Sequence, residues 1–169
     1  MGRGAPAWER GEAMPPVAIF ITLLGLLPFV ACGLAAVGSN PESADRMLVA
    51  LIDYAALVLA FSGGIYWALS LLPSQPAPSG GHRWRLAFGA VPLLTAWAAL
   101  LLQAWLASWT ALVVLIAGYV ITVVTERQTG QHSALPPRYE WLRWGFTIVA
   151  VAMMTTVLVL RLFGQTIVF

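Results

Sequence analysis

The stretch Met47–Leu72 reads MLVALIDYAALVLAFSGGIYWALSLL, and it decides the fold because nearly every residue in it is apolar. Its apolar residues follow one another directly, whereas a half-buried soluble helix or strand would space them at helical or alternating intervals. A continuous apolar run of 18 or more residues indicates a membrane span, since about 20 helical residues cross a hydrocarbon layer of about 30 Å. Met47–Leu72 is therefore predicted to be a transmembrane helix.

Four further apolar runs predict an all-α polytopic membrane protein, a bundle of five transmembrane helices. The chain is 60% hydrophobic and 9% charged, against about 45–50% and about 25% in an ordinary soluble domain. Helices are expected because the runs do not alternate in polarity as barrel strands do. Residues 1–169 are predicted to form a single membrane domain. The other predicted helices are Pro16–Val37, Leu86–Leu106, Trp109–Thr125 and Trp141–Phe163, and the longer loops are 73–85 and 126–140.

The ends of the runs and the arginines predict how the bundle sits in the membrane. The fourth run is short, so we expect it to cross upright or where the bilayer thins. All nine basic residues are arginines, and seven would lie on the side of the N-terminus against two on the other. This asymmetry predicts a bacterial inner-membrane protein with a cytoplasmic N-terminus and a periplasmic C-terminus. We expect the first run to be retained and not cleaved as a signal peptide, because it is long and glutamates mix with the arginines ahead of it.

Composition and spacing exclude several classes of function. The basic residues are too few and too scattered for a nucleic-acid-binding surface. The single cysteine, Cys32, excludes an intrachain disulfide, and His82 and His132 fall in predicted loops, away from any haem within the bundle. Glu126 and Arg127 are interpreted as part of a solvated loop. No catalytic residue, cofactor or metal ligand set is predicted, and we expect no enzyme activity.

The second predicted helix carries a face of small residues. Ala56, Ala60, Gly64 and Ala68 recur every four residues, a spacing that lets helices approach closely. Packing within the bundle is the favoured interpretation, and a docking face for another protein is the alternative. The complete predicted packing or partner face consists of Ala56, Ala60, Gly63, Gly64, Trp67 and Ala68.

Asp53 is the one acidic residue well inside a predicted span. At 1.5 Å per residue it would lie about 9–10 Å below the outer surface, in the leaflet where the third and fifth helices end. A carboxylate in a membrane is costly and marks an ion pair or a pathway. We therefore expect an intramembrane polar cluster of Asp53, Gln103 and Arg161 that fixes helix register. The alternatives are a snorkelling Arg161 with Asp53 near the surface, and a proton or ion pathway.

Four short segments of the chain resemble, in order and spacing, the signature of the domain of unknown function 3429 family, which includes transmembrane protein 69-like proteins. Ala68 departs from this pattern, where the family often has glycine. The resemblance implies a compact five-helix protein of bacterial inner membranes and mitochondria, and it implies no known activity. The four segments are Tyr54–Ala68, Gly25–Phe29, Val91–Trp97 and Pro136–Arg143.

Three hypotheses about function remain open from these observations. The leading one is a non-catalytic accessory, assembly or supernumerary subunit of a larger membrane complex, of the respiratory or photosynthetic kind. This hypothesis is favoured by the lack of a recognisable catalytic motif, by the small-residue face and by the absence of a predicted soluble domain. The partners would be the lipid bilayer and other membrane subunits. The alternatives are a small transporter or proton pathway that uses Asp53, and a membrane enzyme or a lipid- or quinone-binding membrane protein.

Overall fold

The computed structural model describes residues 16–38, 40–71, 81–128 and 137–164. Within these ranges the secondary structure is entirely helical, which confirms the all-α fold. Four of the five helices contain an apolar segment long enough to cross a membrane, and the third contains a shorter one, Gly89–Trp105. The helices are α1 (Pro16–Gly38), α2 (Pro41–Leu71), α3 (Gly81–Trp105), α4 (Ser108–Gln128) and α5 (Pro137–Gly164).

The helices extend beyond the apolar runs into polar sequence. α2 begins at Pro41 and not at Met47, because proline suits the first turn of a helix and the acidic Glu42 interacts favourably with its dipole. Glu42 also forms an ion pair with Arg46 one turn later. The predicted start of this helix at Met47 is therefore six residues too late, and Asp53 lies about 18 Å along α2 at 1.5 Å per residue.

Parts of both long predicted loops are helical, because the helices beside them also extend past their apolar runs. Residues 81–85, which include His82, belong to α3, and residues 126–128 and 137–140 belong to α4 and α5. Residues 72–80 and 129–136, which include His132, lie outside the described residues. The fourth run is not the short one, because its apolar segment Ser108–Glu126 has 19 residues, whereas the shorter apolar segment is in α3.

The five helices form a closed ring in chain order, and α2 also contacts α4 across it. Successive helices run in opposite directions, so α1, α3 and α5 begin on the side of the bundle where α2 and α4 end. We call this the N-terminal side. Alanines fill much of the interior, including Ala55 and Ala99, and the largest fully buried side chains include Phe29 and Met154. Small residues at these contacts allow the close packing that holds membrane helices together.

The outer surface of the bundle is apolar. Phe61, Trp105 and Trp141 are 75%, 83% and 81% exposed. Such a surface would be unstable in water, and it is the surface that a lipid bilayer covers. The exposed tryptophans at the end of α3 and near the start of α5 suit the interface between lipid and water.

Candidate functional site

Asp53 lies inside the candidate span Pro41–Gly64, level with the last turn of α3, and its side chain is exposed on the outer surface of the bundle. Gln103 Nε2, near the end of α3, donates a hydrogen bond to Asp53 Oδ1 at 3.2 Å. Gln103 Oε1 is buried and accepts no hydrogen bond from the described residues. The structure therefore brings Asp53 and Gln103 together as a polar site on the lipid-facing side of α2 and α3.

Arg161, the third residue of the predicted cluster, has a different partner. Its guanidinium forms an ion pair with Asp45, in the first two turns of α2. The predicted three-residue cluster is therefore two separate pairs, Asp53 with Gln103 and Asp45 with Arg161. Asp45 is nearer than Asp53 to the start of α2, and it is this end of α2 that contacts the end of α5. Asp45 is absent from the predicted cluster because the second helix is predicted to begin at Met47, whereas α2 begins at Pro41 and includes Asp45.

The small-residue face of α2 is partly buried within the bundle and partly exposed on its outer surface. Ala56 is buried, and Gly63 packs directly on α3, where an added methyl group would overlap the carbonyl oxygen of Gly89. Gly64, the next residue, is exposed, and no atom lies within 4 Å of the position that its methyl group would take. Packing within the bundle therefore explains Ala56 and Gly63, while Gly64 belongs to the outer surface.

The other members of this face lie between these extremes. Ala60 is half-buried. Trp67 is 44% exposed, and its indole ring covers Gly89 so closely that a side chain there would overlap it. The side chain of Ala68 lies outside the described part of the protein. The partner-docking interpretation of the face thus rests on its exposed part, and it stays a prediction.

A cavity of about 300 Å³ lies in the side of the bundle between α1, α2, α4 and α5. Exposed apolar side chains, Ile21 and Phe61 among them, form its rim, so it opens toward lipid. At its inner wall, the rings of Tyr54 and Phe146 pack edge-to-face on Phe29, with centroids 5.2 Å and 5.7 Å away. The volume lies at the lower end of the range for small-molecule sites, about 300–1,000 Å³.

Five of the hydroxyl groups that line the cavity donate their protons to backbone carbonyl groups. Tyr54 Oη donates to the Gly25 carbonyl oxygen at 2.8 Å, and Tyr119 Oη donates to that of Ala55 at 3.0 Å. A hydroxyl has one proton, so these groups can present only oxygen lone pairs to the cavity. Three further wall hydroxyls bond in the same way to carbonyls of their own helices: Ser62, Thr122 and Thr147.

A cation lies at the N-terminal end of the cavity. Arg143 of α5 lines it and forms an ion pair with Glu126 of α4, and the two side chains are only 16% and 14% exposed. The assignment of Glu126 to a solvated loop was wrong, because α4 continues to Gln128. A useful signal was present in the sequence: an acid directly after the fourth run and an arginine at the start of the fifth meet at the same membrane surface.

The chain is similar to known proteins along most of its length. The family described as a protein of unknown function (DUF3429) matches residues 14–159. Transmembrane protein 69 of Mus musculus is 34% identical over 147 residues, covering 87% of this chain and 57% of that protein. The protein of the same name in Xenopus tropicalis is 30% identical over 141 residues, covering 81% and 51%.

The chain thus spans about half the length of the curated relatives that it matches. No solved structure matches it. The resemblance noted from short segments extends to the family pattern as a whole, and both relatives carry the word transmembrane in their names. With its five-helix architecture, the chain belongs to the DUF3429 family, a family of membrane proteins of unknown function.

Proposed function

We propose that the protein is a non-catalytic accessory subunit of a larger membrane complex, to which it binds through Asp53. The observation that carries this proposal is an exposed carboxylate inside a candidate membrane span, level with the last turn of α3. An aspartate at the centre of a membrane helix costs about 2.5–3.5 kcal/mol on insertion scales, and one nearer the interface, as here, costs less. A basic side chain from a neighbouring subunit would offset that cost, and it would make association favourable.

The chemistry around Asp53 determines the kind of partner. An ionised carboxylate accepts several hydrogen bonds, and Gln103 provides one. The Oε1 atom of Gln103 is buried, so the acceptor that this surface presents is the exposed Asp53 carboxylate. An exposed carboxylate calls for donors, so the partner helix is expected to carry an arginine or a lysine at this depth.

The surface beside Asp53 also has a shape that suits a helix. Leu57 is 66% exposed one turn along α2, and Gly64 leaves open space two turns further. A glycine on an exposed helix face allows the backbone of a second helix to approach closely. The complex would lie in a bacterial inner membrane, with respiratory and photosynthetic complexes as the first candidates and the N-terminus of this chain in the cytoplasm.

The transporter hypothesis has less support. A proton or ion pathway needs a series of groups that leads across the membrane. Asp53 lies on the outside of the bundle, and the cavity between α1, α2, α4 and α5 does not include it. Its neighbour Gln103 does not titrate, so the pair offers a binding site more readily than a relay.

A photo-crosslinking amino acid at Leu57 in native membranes tests the proposal. The matched control carries the crosslinker at Thr156, which is exposed on α5. We expect one discrete product from position 57 with a subunit that has a basic residue within its span, and no such product from position 156. Asp53→Asn should reduce the product at least tenfold, and Asp53→Lys should be rescued by an acidic residue in place of the partner's base. A product that survives Asp53→Asn undiminished would overturn the proposal.

A further inference from the structure

We infer that the lateral cavity binds one acyl chain of a membrane phospholipid and that Arg143 binds the phosphodiester of the same molecule. This site is separate from the surface around Asp53, and it does not depend on the proposed subunit role. Its parts are an apolar groove that opens toward lipid, five wall hydroxyls that donate their protons to backbone carbonyls, and a cation at one end.

The position of the cavity fits a lipid that enters from the side. Its inner wall, at Tyr54 and Phe146, lies near the middle of the bundle, and its other end, at Arg143, lies on the N-terminal side. A phospholipid has its charge at the membrane surface and its chains toward the centre of the bilayer. The apolar part of the cavity and its cation therefore lie in the same order as the chain and the headgroup of a lipid in that leaflet.

The volume limits how much of the lipid is enclosed. A methylene group occupies roughly the 30 Å³ that a water molecule takes in the liquid, so about 300 Å³ holds about ten methylene groups. One chain fits to that depth, and the second chain stays in the bilayer along the exposed side chains of Ile21 and Phe61. The site is a groove for part of a lipid and not an enclosed pocket for a whole one.

The hydrogen-bonding groups select a phospholipid over a quinone. A bound quinone gains most from donors at both of its carbonyl groups, which lie on opposite sides of the ring. The hydroxyls of Tyr54, Tyr119 and Thr147 have given their protons to backbone carbonyls. The cavity therefore offers a cationic donor at its N-terminal end, and this arrangement suits a ligand with all its acceptors at one end. A guanidinium binds the two oxygens of a phosphate through parallel N–H groups.

The ion pair sets the charge of the preferred headgroup. Glu126 balances the charge of Arg143, so the pair carries no net positive charge that would favour an anionic headgroup. A zwitterionic headgroup adds no net charge beside this pair, and its phosphate would contact Arg143, which lines the cavity. We therefore assign the site to a zwitterionic phospholipid such as phosphatidylethanolamine.

Native mass spectrometry after lipid exchange tests this assignment. The protein is reconstituted in nanodiscs of equal phosphatidylethanolamine and phosphatidylglycerol, extracted in mild detergent, washed and weighed. We expect about one phosphatidylethanolamine per chain. Ser62→Phe, which fills the cavity, should lower the retained lipid at least tenfold, and Thr147→Leu should do the same if Ser62→Phe does not fold. Thr156→Phe is the matched control on the exposed face of α5 and should retain the lipid.

The headgroup contact is tested by Arg143→Leu combined with Glu126→Leu, which removes the cation without leaving a buried unpaired carboxylate. The double variant should melt cooperatively and retain about tenfold less lipid. Equal retention by wild type and Ser62→Phe, equal retention by the double variant, a bound quinone, or a preference for phosphatidylglycerol would each overturn the assignment. Asp53→Asn should leave lipid retention unchanged, so failure of the subunit proposal can be distinguished from failure of this one.

Discussion

The two sides of α2 are packed by different means. Toward α3, Gly63 and Gly89 bring two backbones into direct contact, and no space remains for even a methyl group. Toward α1 and α4, tyrosine hydroxyls reach across to backbone carbonyls, and a cavity of about 300 Å³ remains beside them. The α3 side of α2 is thus held by close backbone packing, and the side toward α1 and α4 is held by hydrogen bonds beside a cavity. In lipid, where burial of apolar surface does not drive helices together, these are the two available means.

The largest effect is expected at the ion pair beside the cavity, because it is charged and largely buried. Arg143→Leu removes this ion pair from the carboxylate of Glu126, and breaking a buried pair in this way costs up to about 3–5 kcal/mol. Thermal unfolding in detergent micelles, followed by circular dichroism, measures the loss, and adding Glu126→Leu should recover most of it. Arg46→Leu is the control, because the Glu42–Arg46 pair is exposed and is worth about 0–1 kcal/mol. Equal losses for the two single variants would contradict the contrast.

A smaller effect is expected from one methyl group on the tightly packed side. Gly63→Ala forces the added carbon against the Gly89 carbonyl oxygen, which belongs to backbone and cannot rotate away. Overpacking of this kind costs about 1–3 kcal/mol. Gly64→Ala, its neighbour on the same helix with open space around it, should be neutral or slightly stabilising. Equal unfolding temperatures for Gly63→Ala and Gly64→Ala would contradict the tight packing of Gly63 on α3.

The interhelical hydrogen bonds contribute less than either of these. Tyr119→Phe removes the buried bond to the Ala55 carbonyl and leaves the ring in place. Such bonds in membrane proteins average about 0.6 kcal/mol, and a buried unpaired carbonyl raises the cost toward about 1–2 kcal/mol. Tyr54→Phe should cost less, because its hydroxyl is only part-buried. The same unfolding measurement gives both values, and the reverse order would show that burial does not set their size.

The smallest change in stability is expected for a glycine on the cavity side, Gly25. Gly25 lies at the edge of the cavity, and a methyl group there would meet Phe146 Cε2 at 3.4 Å and Tyr54 Oη at 3.8 Å, which are ordinary contacts. Gly25→Ala should therefore change the unfolding free energy by less than about 0.5 kcal/mol. A loss as large as that of Gly63→Ala would mean that the cavity side is as tightly packed as the α3 side.

The number and class of the helices could be predicted from sequence because a bilayer demands long apolar segments. The helix ends could not be read in the same way, because backbone hydrogen bonding continues past the last apolar residue. Pro41 shows this at the start of α2, and Gln128 shows it at the end of α4. The two errors had consequences for the candidate sites, since they hid the partners of Arg161 and Arg143.

Prediction of the candidate sites was limited by the arrangement of helices around the ring. Asp53 and Gln103 could be paired from depth alone, since both were expected in one leaflet on neighbouring helices. The cavity needed knowledge that α1, α2, α4 and α5 meet at one place, and apolar runs carry no signal for that. The division of the small-residue face between Gly63 and Gly64 likewise depends on the angle at which α3 crosses α2.

The short apolar segment of α3 has a consequence for the surrounding bilayer. At 1.5 Å per residue, Gly89–Trp105 is roughly 26 Å long, whereas the neighbouring Pro41–Gly64 is roughly 36 Å long. We expect the lipids beside α3 to compress, at a cost of a fraction of a kcal/mol per Å of mismatch. The elastic energy of such a thinned annulus would be relieved by another thin protein alongside. We therefore expect the bilayer to favour the proposed contact on the side of the bundle where Asp53 meets Gln103.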